Sequence, residues 1–115
     1  MEIREGEQCI LLDFQNEDVL YVEWCDGQTR GGREVCAPGF HTRLKCMLQT
    51  AERSEEQLNR CETEDGSLYV EIERGNGYYR LKLAYVPEED LLPWQWLETA
   101  DYFRPAEFAQ LAAVL

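Results

Sequence analysis

The chain has 115 residues and a formal net charge of -12 at pH 7, and 44% of its residues are hydrophobic. Such a length can bury one substantial core, so we expect one folded α+β domain over residues 1–115. The excess of carboxylates repels nucleic acid and anionic membranes. No apolar stretch approaches the roughly 20 residues that cross a bilayer, and no secretory signal opens the chain. We therefore expect a cytoplasmic protein.

The charge is distributed unevenly along the chain. Residues 1–26 hold eight acidic side chains against one basic one, and residues 61–115 hold eleven against four. Residues 27–60 reverse this balance, with six basic side chains against four acidic ones. Two acidic blocks therefore flank an arginine-bearing middle, a pattern that favours association with basic surfaces.

The first predicted element is a hairpin made of residues 8–15 and 19–25. Both segments alternate apolar and polar residues and are rich in β-branched and aromatic side chains. Asp26-Gly27 is a strong turn signal that ends the second strand. Residues 28–39 are expected to be irregular, with at most a short strand near residues 33–36.

Residues 41–61 are predicted to form one central amphipathic helix. The apolar positions that follow helical spacing are Phe40, Leu44, Met47, Ala51, Leu58 and Cys61. Two alternatives stay open. Residues 44–48 also alternate as a strand would, and residues 54–57 resemble a capping box that could begin a separate, shorter helix.

A second hairpin is predicted over residues 67–86, with its tip at residues 75–77. Its first strand alternates apolar and acidic residues, and its return strand alternates apolar and basic ones. Glu71 and Glu73 can face Arg80 and Lys82 across the strands, which would fix the register.

The tail is predicted to be helical, with one helix over residues 94–103 and a final one beginning near Pro105. The last helix would present an apolar stripe of Phe108, Leu111, Ala112 and Leu115. The predicted fold is therefore an antiparallel sheet of two hairpins, with four to five strands. A central helix and two short C-terminal helices would pack on one face of it.

Few residues suggest catalysis or metal binding. Cys36, His41 and Cys46 have the spacing of the last three ligands of a zinc knuckle, but the close first cysteine pair is missing. We predict no metal and no cofactor. The five cysteines are odd in number and widely spaced, which indicates reduced and mostly buried thiols. A small cysteine- or carboxylate-based enzyme ranks third among the functional hypotheses.

The favoured hypothesis is a small acidic inhibitor that binds and masks a basic protein, such as a nuclease or a nucleic-acid-binding complex. Immunity proteins, antitoxins and anti-CRISPR-like inhibitors of bacterial defence share this combination of size and charge, and some mimic nucleic acid. No direct contact with nucleic acid or membrane is expected. The residues predicted to bind the partner are Asp13, Glu17, Asp18, Glu23, Glu62, Glu64, Asp65, Glu71, Glu73, Tyr78, Trp94 and Trp96.

The alternative hypothesis is a homo-oligomeric accessory domain, for example a homodimer, in which the acidity serves solubility alone. Its tail helices or a sheet edge would form a symmetric interface. The side chains buried between subunits would then be Phe108, Leu111, Val114 and Leu115.

Overall fold

A computed structural model describes residues 1–86 and 97–115 of the chain. Within these residues there are eight β-strands and two α-helices, arranged as four strands followed by one helix, twice over. A short 3₁₀ turn (Ala51–Arg53) follows the first helix. The elements are β1 (Glu2–Glu5), β2 (Gln8–Phe14), β3 (Val19–Asp26), β4 (Thr29–Cys36), α1 (Phe40–Thr50), β5 (Leu58–Glu62), β6 (Leu68–Arg74), β7 (Tyr79–Tyr85), β8 (Leu97–Phe103) and α2 (Glu107–Ala113).

The strands form two antiparallel sheets of four strands each. Sheet A has the order β1-β2-β3-β4 and sheet B the order β5-β6-β7-β8. Each sheet is followed by one helix, so the pattern of four strands and a helix occurs twice. The prediction of one sheet with four to five strands is therefore wrong, although the fold remains α+β.

The two predicted hairpins are confirmed as β2–β3 and β6–β7. The predicted register of the second hairpin is also confirmed, since Glu71 lies opposite Lys82 and Glu73 opposite Arg80. These elements were predictable because alternation of period two and local turn residues determine them within about twenty residues of chain.

Strand β4 extends over eight residues where an irregular segment was expected. Gly31 and Gly32 favoured a loop, but here they make room for aromatic rings of β3. A Cβ atom at Gly31 would overlap the indole of Trp24, and one at Gly32 would overlap the phenol of Tyr21. Glycine is therefore the residue that lets these rings lie against the strand.

The predicted helix over residues 41–61 is also wrong in its second half. Helix α1 ends at Thr50, and the backbone of Ser54 is extended. The Ser54 hydroxyl accepts a hydrogen bond from the Glu56 amide at 3.2 Å, so the capping-box residues form a turn. Residues 58–62 then pair with β6, which satisfies their backbone groups in a ladder.

A strand replaces the helix predicted over residues 94–103, as far as the structure describes that segment. Residues 97–103 pair along the whole length of β7, from Tyr85–Leu97 to Tyr79–Phe103. Leu97 and Thr99 point into the core. Helix α2 confirms the prediction of a final helix. Residues 94–96 of the predicted first tail helix lie outside the described residues.

One hydrophobic core joins both sheets and both helices. Its fully buried members come from sheet A (Ile10, Leu12, Leu20), from α1 (Phe40, Leu44), from sheet B (Leu81, Leu83) and from α2 (Phe108). Burial of such side chains stabilises the fold by about 1.5–3 kcal/mol each. No helix in residues 1–86 and 97–115 is long and apolar enough to cross a bilayer.

Candidate protein-binding surface

The turn between β2 and β3 holds two of the predicted partner-binding acids in fixed positions. The Asn16 side-chain oxygen accepts hydrogen bonds from the amides of Asp18 at 2.8 Å and Val19 at 2.9 Å. One Glu17 carboxylate oxygen accepts a hydrogen bond from the Thr42 hydroxyl at 2.7 Å, and the other lies 3.5 Å from His41 Nδ1. Glu17 and Asp18 therefore lie beside the first turn of α1.

Side-chain hydrogen bonds also fix the turn between β5 and β6. Asp65 Oδ1 accepts hydrogen bonds from the Thr63 hydroxyl at 2.7 Å and from the amide and hydroxyl of Ser67 at 3.0 and 2.8 Å. Burial acts to raise the pKa of Asp65, but these bonds and the charge of Arg33 outweigh it and hold the pKa below its ordinary value of 3.8. The carboxylate is therefore ionised and oriented.

Helix α1 brings the two turns to the same end of the molecule. Thr42 bonds Glu17, while the guanidinium of the next residue, Arg43, donates to the Glu62 backbone oxygen at 3.0 Å. Acids from both acidic blocks of the sequence thus meet around one helical turn. We call this group the acidic end; it comprises Glu17, Asp18, Glu62, Glu64 and Asp65.

The outer face of sheet A extends this negative surface. Asp13, Tyr21 and Glu34 lie opposite one another on β2, β3 and β4, in a row next to the β2–β3 turn. Asp13 and Glu34 are both exposed, as is Glu23 further along the same face. The sequence-based prediction missed Glu34 because it expected a mostly irregular segment here and did not pair this residue with Tyr21 of β3.

The predicted acids on sheet B are in a different environment. Glu71 lies 3.3 Å from Lys82 and 3.6 Å from Arg60, and its side chain is 15% exposed. Lys82 also approaches Glu98 at 3.9 Å. Burial would lower the pKa of Lys82, but hydrogen bonds to Glu71 and Tyr69 and the nearby carboxylates raise it above its ordinary value. Glu71 is thus neutralised within the fold, and Glu73 faces Arg80.

The aromatic residues predicted to contact a partner are not at the acidic end. Tyr78 is 49% exposed, but it follows the β6–β7 turn at the opposite end of sheet B. Tyr102, which the sequence-based prediction missed, is 64% exposed and lies opposite Arg80 near the same end. Trp94 and Trp96 lie outside the described residues.

Cys36, His41 and Cys46, the residues with the zinc-knuckle spacing, lie in different surroundings. His41 stacks on Phe14 with ring centroids 4.4 Å apart, and its Nε2 lies 2.8 Å from the Leu115 backbone oxygen. Cys36 and Cys46 are exposed. In the described part of the chain no three His, Cys, Asp or Glu side chains are grouped so that they could hold a metal ion. All five thiols are free, but only Cys9 and Cys61 are buried, fewer than expected.

Comparison with known proteins adds no assignment. No family model, no curated protein and no solved structure matches this chain. We therefore infer a function from the surface described above and not from a similar fold.

Proposed function

We propose that this protein is an acidic protein-binding inhibitor that docks on and masks a basic, nucleic-acid-handling protein. The observation that carries the proposal is the acidic end, where α1 bonds both the Glu17 carboxylate of the β2–β3 turn and the backbone of Glu62, which leads into the turn of Glu64 and Asp65. The Glu62 carboxylate itself pairs with Arg60 at 3.5 Å. Asp13 and Glu34 extend the same negative surface along sheet A.

The fixed positions of these side chains favour binding, as does their charge. Side chains that are already fixed lose little conformational entropy when a partner binds, so more of their interaction energy contributes to affinity. Glu17 and Asp65 are held by hydrogen bonds, and Asp18 lies in a braced turn. A basic groove that binds phosphates would meet ordered carboxylates here, and their negative potential would accelerate association.

The proposal assigns different roles to the predicted residues. The acidic end, together with Asp13, Glu23 and Glu34, forms the docking surface. Glu71 is excluded because Arg60 and Lys82 pair with it, and Glu73 because it lies opposite Arg80 beside the β6–β7 turn, at the other end of sheet B. Tyr78 lies too far along sheet B to anchor the same contact. The complex is assigned to the cytoplasm, where reduced thiols such as the five found here persist.

The test compares two variants of equal net charge. In the first, the acidic end is neutralised by Glu17→Gln, Asp18→Asn, Glu62→Gln, Glu64→Gln and Asp65→Asn. In the control, five exposed acids elsewhere are replaced by glutamine, namely Glu5, Glu7, Glu52, Glu55 and Glu56. Each protein is used for affinity capture from the native host at low salt, followed by mass spectrometry and binding kinetics with the captured protein.

The wild type and the control should both capture a basic protein with a nucleic-acid-binding or nuclease domain. The acidic-end variant should bind it at least about tenfold more weakly, chiefly through slower association. Raising the ionic strength to 0.15 M, where the Debye length is about 8 Å, should slow association several-fold. Equal losses in the two variants, or capture of neutral or acidic proteins only, would overturn the proposal.

The homo-oligomer alternative loses one of its four predicted interface side chains, Phe108, although another, Val114, is 71% exposed. Phe108 is 1% exposed and packs inside the core, with its ring 5.4 Å from that of Tyr79. Light scattering distinguishes the two hypotheses, because a stable dimer that binds no basic protein would contradict masking.

A further inference from the structure

Two cysteines lie side by side on the outer face of sheet A. Cys9 of β2 is directly opposite Cys25 of β3, and the row continues to Arg4 on β1 and to Arg30 on β4. The two thiols therefore lie between two guanidinium groups. They line a depression of about 460 Å³ that is also lined by Glu2 and other residues of this face.

The hydrogen-bond ladder sets the distance between the two cysteines. Gly27 donates its amide to the Glu7 oxygen and Gln15 donates to the Val19 oxygen, which marks both pairs as hydrogen-bonded positions. Such positions recur at every second pair of an antiparallel ladder, so Cys9 and Cys25 also form a hydrogen-bonded pair. Cα atoms in such pairs are about 5.5 Å apart, and disulfides span about 4.4–6.8 Å.

The two thiols differ in accessibility. Cys9 is buried and donates its S–H to a Glu2 carboxylate oxygen at 3.0 Å. Burial, followed by that bond and by the Glu2 charge, raises the pKa of Cys9 to about 11. Cys25 is partly exposed and therefore accessible to a reagent from solvent. Cys25 is thus placed to react first and Cys9 to react second.

We propose that Cys9 and Cys25 form a thiol–disulfide exchange site that accepts a low-molecular-weight peptide disulfide such as oxidised glutathione. The depression presents two guanidiniums, from Arg4 and Arg30, and two carboxylates, from Glu2 and Glu23. Arg4 already pairs with Glu2 at 3.4 Å, so Arg30 and Glu23 would meet a carboxylate and the ammonium group of a zwitterionic peptide. The inference does not rest on the proposed masking function, although Glu23 belongs to both surfaces.

The exchange balances in two steps. The Cys25 thiolate attacks one sulfur of oxidised glutathione, which forms a Cys25–glutathione disulfide and releases one glutathione thiolate. Cys9 then loses its proton to solvent, and its thiolate attacks the Cys25 sulfur, which forms the Cys9–Cys25 bond and releases the second thiolate. Both released thiolates take up protons. The two protein thiols are oxidised, and one glutathione disulfide is reduced to two thiols.

The experiment treats the fully reduced chain with oxidised glutathione without oxygen, blocks free thiols at intervals, and maps the peptides by mass spectrometry. We expect a Cys9–Cys25 disulfide that excess reduced glutathione reverses. Cys9→Ser should retain one glutathione on Cys25, and Cys25→Ser should leave Cys9 unmodified. A Cys36→Ser/Cys46→Ser double variant should form the bond as the wild type does.

Glu2→Gln tests the second step separately. Because the Glu2 charge raises the pKa of Cys9, its removal should favour the Cys9 thiolate and speed closure of the disulfide several-fold, while leaving the first step on Cys25 unchanged. Circular dichroism of each variant checks that the sheet is intact. The proposal is overturned if exchange occurs first at the exposed Cys36 or Cys46, or if Cys9→Ser traps no glutathione on Cys25. It is also overturned if the wild-type protein forms no Cys9–Cys25 disulfide when it is treated with oxidised glutathione.

Discussion

Sheets A and B have the same connectivity, yet their outer faces are different. On sheet B, Glu71 is clamped by Arg60 and Lys82, and the Tyr69 ring lies 3.8 Å below the Arg60 guanidinium. On sheet A the corresponding face has exposed acids, Gly32 covered by the Tyr21 ring, and a depression. The outer face of sheet B pairs Glu71 with its own bases, whereas the outer face of sheet A is accessible to a partner or a ligand. We call these the closed and the open face.

The difference shows that the net charge of -12 is not spread evenly over the folded surface. Acids on sheet B are opposed by bases on neighbouring strands, so they contribute mainly to the stability of the sheet. Among the acids of sheet A and of the two turns at α1, Glu62 pairs with Arg60 at 3.5 Å, whereas Asp13, Asp18, Glu34 and Glu64 are exposed. Exposed acids that lie near one another in this way steer association with a basic surface.

The largest expected effect tests whether the two sheets fold as one unit. Leu12→Ala in sheet A and Leu83→Ala in sheet B each remove a side chain that is at most 1% exposed in the shared core. Each should lower the free energy of unfolding by about 3 kcal/mol, through lost burial and the cavity left behind. Urea unfolding should show one cooperative transition in both variants.

The control for this pair is Leu58→Ala on the edge of sheet B, where the side chain is 50% exposed. It should change the free energy of unfolding by less than about 0.5 kcal/mol. Two separate transitions, with each core variant shifting only its own, would mean that the sheets are independent.

The second prediction contrasts the two outer faces directly. Glu71→Gln removes the carboxylate that lies between Arg60 and Lys82, both within 3.6 Å. Because Lys82 is only 17% exposed, its ammonium would be left partly buried with weaker pairing. We expect a loss of about 1–2 kcal/mol in the free energy of unfolding.

Glu23→Gln on the exposed face of sheet A is the matched substitution. It should change the same free energy by less than about 0.5 kcal/mol. Chemical denaturation at pH 7 measures both. If the two variants were equally destabilised, the contrast between a closed and an open face would be wrong.

Part of this architecture was predictable because it is local in sequence. The β2–β3 and β6–β7 hairpins follow from alternation and turn residues, and even the Cys9–Cys25 pairing follows once residues 15 and 19 are placed opposite each other. Strands β4 and β8 depend instead on the neighbouring strands with which they pair, β3 and β7. The glycines of β4 suit a strand only because Trp24 and Tyr21 cover them.

The acidic end could not be predicted as a site for the same reason. Its two turns are distant in sequence, and they meet only through Thr42 and Arg43 on α1. The sequence-based prediction named all five of its acids, but it grouped them with Glu71, which Lys82 neutralises, and with Glu73, which lies at the other end of sheet B. Charge counts locate acids along a chain, while tertiary contacts decide which of them remain uncompensated.

The smallest expected effect concerns acid stability at the β5–β6 turn. Because hydrogen bonds from Ser67 and Thr63 and the charge of Arg33 hold the pKa of Asp65 below 3.8 in the folded protein, the unfolded chain binds more protons over that interval. The stabilisation from Asp65 is therefore present above pH 3.8 and is lost as the pH falls through the lower folded value. Asp65→Asn should make stability fall less steeply with acid in this window, as measured by urea unfolding between about pH 5 and 2.

Glu64→Gln is the neighbouring control, because Glu64 is exposed and accepts none of the hydrogen bonds that hold Asp65. It should leave the slope of stability against pH close to that of the wild type. A steeper acid dependence in Asp65→Asn, or equal changes in both variants, would mean that the turn does not hold its carboxylate in the ionised form. The acidic end would then lose one of the fixed charges on which the proposed docking depends.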